Sequence, residues 1–285
     1  MSIFTPMDPA TRGRFAPHYL AYLRQRDGEP SLARRTLSRR EAIRAALSRE
    51  PRPSLGAVRV DPVVFHRNLP RRVPEAGLDR ATLWALALAK GNRAERFGVE
   101  SKLDRYGFEK DGTADPITYV ELQECYHTRL LLEVLALVGI ECDVGLPSSA
   151  LTRVGVKLIG QLPRAGLDVL ALPFEAIGIA AFSAMRDEAR ELFSDAPALC
   201  ARIDALLTEI LVDEVGHVHF LRSRLSPARL GVARALLPFA RRALFDDNEE
   251  VRLLLARRNM LDGFDAIDPD ALVANAPDRL PPLAA

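Results

Sequence analysis

Residues 116–138, PITYVELQECYHTRLLLEVLALV, and residues 203–221, IDALLTEILVDEVGHVHFL, decide the fold. Both space their apolar residues three and four apart, the period of an amphipathic helix. The first stripe runs Ile117, Val120, Leu131, Val134 and Val138; the second runs Ile203, Leu207, Ile210 and Leu221. Each stripe carries a Glu-x-x-His motif, Glu124–His127 in one and Glu214–His217 in the other. A three-residue step on a helix returns to almost the same face, so each motif aims a carboxylate and an imidazole the same way. A carboxylate on an apolar face is costly to bury without a partner.

Working outward, Asp79 caps a first helix through Leu83, Leu86, Ala87, Glu95 and Val99 to about Leu103. Gly107, Gly112 and Asp115-Pro116 mark a loop, and Pro116 opens the helix of the first motif, which ends at Gly139. A long connection, Ile140–Leu170, is expected to hold a helix of its own near Ser149–Leu162. Pro173 is expected to start a third core helix through Glu175, Phe182 and Met185 to about Phe193. Ser194-Asp195-Ala196-Pro197 breaks the chain before the helix of the second motif. Residues 226–245 and 248–261 read as further helices, and the tail from Asp268 as irregular. No strand run stands out, so the expected class is all-α. It divides into an N-terminal extension (1–77), a helical bundle (78–225) and C-terminal helices with a tail packed on it (226–285).

Antiparallel partners lie equally far from the turn that joins them. Glu175 and Glu214 are equidistant from Ser194-Asp195, and Glu95 and Glu124 from the loop between the first two helices. Both pairs therefore meet at mid-helix, and the two hairpins require a crossover between them. Glu95, Glu124, His127, Glu175, Glu214 and His217 then converge as four carboxylates and two imidazoles, the ligand set of a dinuclear carboxylate site. Without metal, four carboxylates would repel one another. One His per metal among hard carboxylates suits iron or manganese, not copper or structural zinc.

The chain has 285 residues with 48% apolar, 27% charged and a net charge of +1, an ordinary globular balance. No stretch reaches about 18 uninterrupted apolar residues, so no membrane span is expected. The N-terminus lacks the pattern of a signal peptide. Three cysteines, Cys125, Cys142 and Cys200, are an odd number without zinc spacing and suggest reduced thiols in a cytoplasm. Residues 11–72 hold fifteen Arg, no Lys and five acids. That basic stretch shows overlapping helical patterns over Ser31–Leu47 and Ser38–Arg49, then a Pro-broken segment. Such a stretch suits nucleic acid, anionic lipid or an acidic partner. No nucleic-acid motif accompanies it, so pairing with the acidic body of the same chain, or plain solvation of helix faces, is preferred.

The series Glu95, Glu124-Cys-Tyr-His127, Glu175 and Glu214-Val-Gly-His217 resembles the ferritin-like di-iron carboxylate oxygenases and oxidases, over roughly residues 78–222. The resemblance implies a four-helix bundle with one long crossover, and those six residues as ligands. It implies two Fe ions, with Mn/Fe as the variant, and O2 as co-substrate. It also implies a small organic substrate and an electron donor such as a reductase or ferredoxin. In that superfamily an Asp directly before the second Glu-x-x-His commonly holds a ligand His of the other motif, which assigns Asp213 to His127. Arylamine N-oxygenases are similar in their two motifs but add a histidine ligand four residues before the second Glu. Here that position is Ile210, a departure from their pattern.

The remaining polar and aromatic residues carry less. His219 falls on another helix face and reads as structural; His18 and His66 lie in the extension without a motif. Glu100 rivals Glu95 but sits nearer the loop, and Glu121 reads as solvated or supporting. Gly178 and Gly216 either leave room near the metals or make helix contacts. Tyr119, Tyr126 and Trp84 are electron-relay candidates whose ordinary reading is packing. The leading expectation is an O2-activating oxygenase or oxidase acting by hydroxylation, N-oxygenation or desaturation. The alternatives are a ferritin-type iron-oxidising or storage protein, an RNA-modifying di-iron hydroxylase and a metal-free helical interaction protein. The oligomeric state stays open, with a dimer compatible.

Overall fold

The computed structural model describes residues 2–106, 115–143, 145, 154 and 164–283; of residues 94, 97–106, 164 and 165 it describes the backbone alone. Nearly all described secondary structure is helical, as the apolar periodicity requires. Four long helices form the centre: α4 (Arg80–Tyr106), α5 (Pro116–Leu137), α6 (Arg164–Leu192) and α7 (Pro197–Arg224). Before them come α1 (Pro9–Asp27), α2 (Ser38–Leu47) and α3 (Pro62–Asn68). After them come α8 (Pro227–Ala235), α9 (Leu237–Asp247), α10 (Glu249–Arg257), a short 3-10 turn and α11 (Pro269–Leu272). The only strands among the described residues are a two-residue antiparallel pair, Pro30–Ser31 with Thr36–Leu37.

The helix starts follow their caps. Asp79 accepts a hydrogen bond from the backbone N–H of Thr82, and Asp115 from that of Thr118, with Pro116 at the first position of α5. Gly139, at φ +81°, stops α5. α6 departs from expectation: it begins at Arg164 and runs straight through Pro173. An interior proline loses one helical hydrogen bond, at about 3 kcal/mol. Leu172 is fully buried there, and Val169, Ala171 and Phe174 pack against the same core, which offsets that cost. The expected helix near Ser149–Leu162 and the glycine-flanked loop at 107–114 lie outside the described residues.

α4 packs on α5, α5 on α7, α7 on α6 and α6 on α4, a closed ring. Side-chain pairs give the directions. Trp84, early on α4, donates to the Met185 carbonyl late on α6. Arg202, early on α7, donates to Glu133 late on α5. Arg224, at the end of α7, reaches Asp168 at the start of α6. Neighbours in the ring are thus antiparallel, and α5 and α6 run the same way. α8, α9 and α10 cover α6, with α10 also on α4, while α1 lies on α5 and α7. α6 from Gly166 to Leu192 is the one described helix long and apolar enough to cross a membrane. It is wrapped on several sides by other helices and carries Glu175, Arg186 and Glu188, so it gives no clear membrane span.

Candidate metal centre

Each ring helix delivers its expected side chain to one place at mid-height. α4 supplies Glu95, α5 Glu124 and His127, α6 Glu175, and α7 Glu214 and His217. Their ligand-type atoms form two groups, Glu95–Glu124–His127–Glu214 and Glu124–Glu175–Glu214–His217, with all atoms within 4.8 Å of one another in each group. Both groups contain Glu124 and Glu214.

The shared carboxylates divide their oxygens between the imidazoles. Glu124 Oε2 lies 3.5 Å from His127 Nδ1, and its Oε1 lies 3.2 Å from His217 Nδ1. Glu214 Oε1 lies 3.3 Å from His127 Nδ1, and its Oε2 lies 3.9 Å from His217 Nδ1. Glu95 faces only His127, at 3.9 Å, and Glu175 only His217, at 3.8 Å. The arrangement is a pair of sites, each with its own Glu and His, joined by two common carboxylates.

Burial sharpens the point. Both histidines are fully buried, whereas the side chains of Glu95, Glu124 and Glu175 are 13–17% exposed. His127 Nδ1, His217 Nδ1 and Glu95 Oε2 are buried and have no hydrogen-bond partner. Leaving a buried polar atom unsatisfied costs about 1–3 kcal/mol, and here three such atoms line one centre. Divalent cations would complete all three, so the residues present fit a dinuclear metal group.

Charge in the metal-free cluster settles into pairs. Burial pushes Glu95 up to about 8, against the attraction of His127. Burial, with Glu175 and Glu124 nearby, pushes Glu214 well above its usual range. For Glu124 burial acts upward, but the imidazoles of His127 and His217, 3.5 and 3.2 Å away, outweigh it and hold the carboxyl low. Glu175 is lowered in the same way by Glu214 and His217. Burial would depress the imidazoles, yet the carboxylates around them win. His217 rises to about 10, because the carboxylates of Glu124 and Glu175 lie close to its Nδ1, and His127 rises well above its usual value. Two carboxylates and two imidazoliums then balance, with two carboxylic acids. Exchanging four protons for two divalent cations would leave the total charge unchanged.

The far nitrogens of the two rings are held by the residues directly before each motif glutamate. Asp213 Oδ2 lies 2.9 Å from His127 Nε2, at the position expected for it. Gln123 Oε1 lies 2.9 Å from His217 Nε2. Gln123 also donates from Nε2 to Asp27 Oδ2 at 2.8 Å and to Asp213 Oδ1 at 3.0 Å. Asp213 is further held by Arg26 and Arg40, and Arg40 Nε lies 3.0 Å from Asp27 Oδ1. Burial would raise the Asp213 pKa, but the two guanidiniums hold it well below the usual carboxylate range. The sequence patterns do not single out Gln123, Asp27, Arg26 or Arg40. For Gln123 a signal exists, because it precedes Glu124 as Asp213 precedes Glu214. The other three come from α1 and α2, far away in sequence, and no spacing rule points to them.

Other expectations sort as follows. A Cβ on Gly178 would meet only Glu214 Oε2, at 3.9 Å, so this glycine leaves room beside the cluster. A Cβ on Gly216 would press on the ring of Tyr19 from α1, so that glycine serves helix contact. His219 pairs with Asp270 and Arg222, a structural role. Trp84 packs edge-on against Phe193, Tyr119 donates to the Gly28 carbonyl, and Arg40 stacks over Tyr126. The Glu100 side chain lies outside those described. All three cysteines are free and half-buried. Comparison of the chain with family models, characterised proteins and solved structures returns no match.

Proposed function

We propose that the chain is a ferritin-like four-helix-bundle protein holding two iron ions, an O2-activating oxygenase or oxidase acting on a small organic substrate. The observation that carries this reading is the sharing of Glu124 and Glu214 between two Glu/His groups whose inward nitrogens are buried and unpartnered. Glu95 and His127 would complete one metal position and Glu175 and His217 the other, with Glu124 and Glu214 common to both. A hard, carboxylate-rich donor set favours iron, with Mn/Fe as the variant. Bound as a pair, ferrous ions supply electrons for the reduction of O2.

The chain's own contributions follow from its geometry. Asp213 and Gln123 occupy the far side of each imidazole, which directs both Nδ1 atoms at the centre. Full burial of the histidines keeps bulk water from that side, while the slightly exposed side chains of Glu95, Glu124 and Glu175 mark the side of approach. Gly178 keeps space beside Glu214. Repeated turnover would draw on an external donor such as a reductase or ferredoxin.

The test is iron analysis with single-turnover O2 consumption by the ferrous protein. About two irons per chain and stoichiometric O2 uptake are expected. Continued iron uptake far beyond that ratio would favour a storage protein instead. Absence of bound metal would overturn the reading.

A further inference from the structure

Gln123 has an arrangement that leaves its amide one orientation. Its Nε2 lies 2.8 Å from Asp27 Oδ2 and 3.0 Å from Asp213 Oδ1. Carboxylates only accept, so both amide hydrogens are used and the nitrogen must sit on that side. Oε1 is therefore the atom 2.9 Å from His217 Nε2. An amide oxygen can only accept, so His217 carries a proton on Nε2. In the neutral ring the lone pair is then on Nδ1, the atom facing Glu124 and Glu175. Gln123 and His217 are both fully buried, so water offers no competing partner.

We propose that Gln123 is a positioning residue for the metal position formed by Glu175 and His217. It fixes the His217 tautomer as Asp213 fixes that of His127, and it ties the two supports together through its bond to Asp213. The inference rests on the dinuclear reading of the cluster. Its distinctive content is inequivalence: one imidazole is backed by a carboxylate flanked by two guanidiniums, the other by a neutral amide. Outer partners of ligating histidines typically change metal affinity about 10–100-fold. Loss of the amide should therefore weaken the equivalent at Glu175 and His217 more than the one at Glu95 and His127, whose support Asp213 keeps Arg26 and Arg40.

The experiment is a Co(II) titration of the full-length protein, followed by absorption and calorimetry, comparing wild type with Gln123→Leu, Gln123→Glu, His217→Ala and the double variant Gln123→Leu/His217→Ala. Wild type should bind two equivalents. Gln123→Leu should weaken one of them about 10–100-fold while the other stays within a few-fold. In the His217→Ala background Gln123→Leu should add nothing further. Gln123→Glu, when protonated, donates its single hydrogen to Asp27 or Asp213, keeps an accepting oxygen toward His217 and should restore the second equivalent even if Gln123→Leu folds poorly. A second readout is the Nε2–H proton of His217 in the Zn(II)-loaded protein, expected to be protected from exchange in wild type and in Gln123→Glu. Two unchanged equivalents in folded Gln123→Leu, or failure of Gln123→Glu to restore the second equivalent, would overturn the inference and leave the dinuclear reading standing. Failure of wild type to bind Co(II) would instead remove the dinuclear reading itself.

Discussion

Glu124 and Glu214 are the two carboxylates common to both ligand groups, and each turns one oxygen toward His127 and the other toward His217. Glu95 and Glu175 each serve one side. Alanine substitution should expose that difference. Glu124→Ala removes a donor from both positions and is expected to leave little bound metal. Glu95→Ala or Glu175→Ala is expected to retain roughly one metal per chain, the position whose donors stay intact. Elemental analysis after dialysis decides it. Full metal retention by both Glu124→Ala and His217→Ala would sink the site assignment.

Stability and metal affinity should move in opposite directions with pH. Glu95 is raised from 4.5 to about 8, chiefly by burial, and His217 from 6.5 to about 10, where its carboxylate partners outweigh burial. A raised group binds its proton more tightly in the folded state. Its stabilising contribution is therefore full below the unfolded pKa and is lost as pH climbs through the folded one. The metal-free protein should lose Tm between about pH 5 and 10. Metal displaces protons from those same groups, so its affinity rises over that range. The increase in Tm on adding Zn(II) or Co(II) is expected to grow with pH. A metal-induced shift that is flat or shrinks from pH 6 to 9 would contradict the protonation pattern.

The four long helices and the depth at which their Glu and His side chains meet are legible in the amino-acid sequence, because caps, prolines and apolar periodicity are local signals. Asp79, Pro116 and Gly139 mark boundaries that the folded chain keeps. Pro173 misleads for a physical reason: a local rule starts a helix there, whereas tertiary burial of Leu172 carries α6 through it. The support around the histidines is half-legible. Asp213 and Gln123 occupy equivalent positions before their motifs, but the superfamily resemblance points only to the carboxylate. Arg26, Asp27 and Arg40 are illegible, since nothing local tells a buried arginine from its solvated neighbours.

The two glycines near the motifs should respond differently to alanine. At Gly216 the new Cβ would lie 2.6 Å from the Tyr19 hydroxyl and 3.0 Å from its ring. That ring is buried and packed against Phe15, Tyr22 and Phe220, so it has nowhere to go. Overpacking of this kind costs about 1–3 kcal/mol, which should appear as a lowered Tm. At Gly178 the Cβ would make only an ordinary contact, 3.9 Å from Glu214 Oε2. Replacing a helical glycine by alanine gains about 0.5–1 kcal/mol, so Gly178→Ala should hold or raise Tm. Its effect should fall on single-turnover O2 consumption instead, because it fills space beside the cluster. A stable Gly216→Ala or an unfolded Gly178→Ala would reverse the assignment.

The basic N-terminal stretch contributes to the interior through Arg40. Its guanidinium, 4% exposed, reaches both Asp213 and Asp27, and Arg26 holds Asp213 from another side. Two guanidiniums and two carboxylates balance there, and Gln123 bridges the acids. Removing one member of a buried ion pair leaves an uncompensated charge and costs about 3–5 kcal/mol. Arg40→Met keeps much of the side-chain volume and should destabilise the metal-free protein by that amount in urea. Arg129→Met is the control, because its pair with Glu41 is substantially exposed and such pairs contribute about 0–1 kcal/mol. The loss in Arg40→Met should also lower metal affinity, since Asp213 would lose one of the groups that hold it against His127. Equal stability of the two variants would mean that the arginines of this stretch act only on the surface, and would reopen nucleic acid as their partner. A selective loss in Arg40→Met makes α1 and α2 part of the structure that holds the His127 imidazole in place.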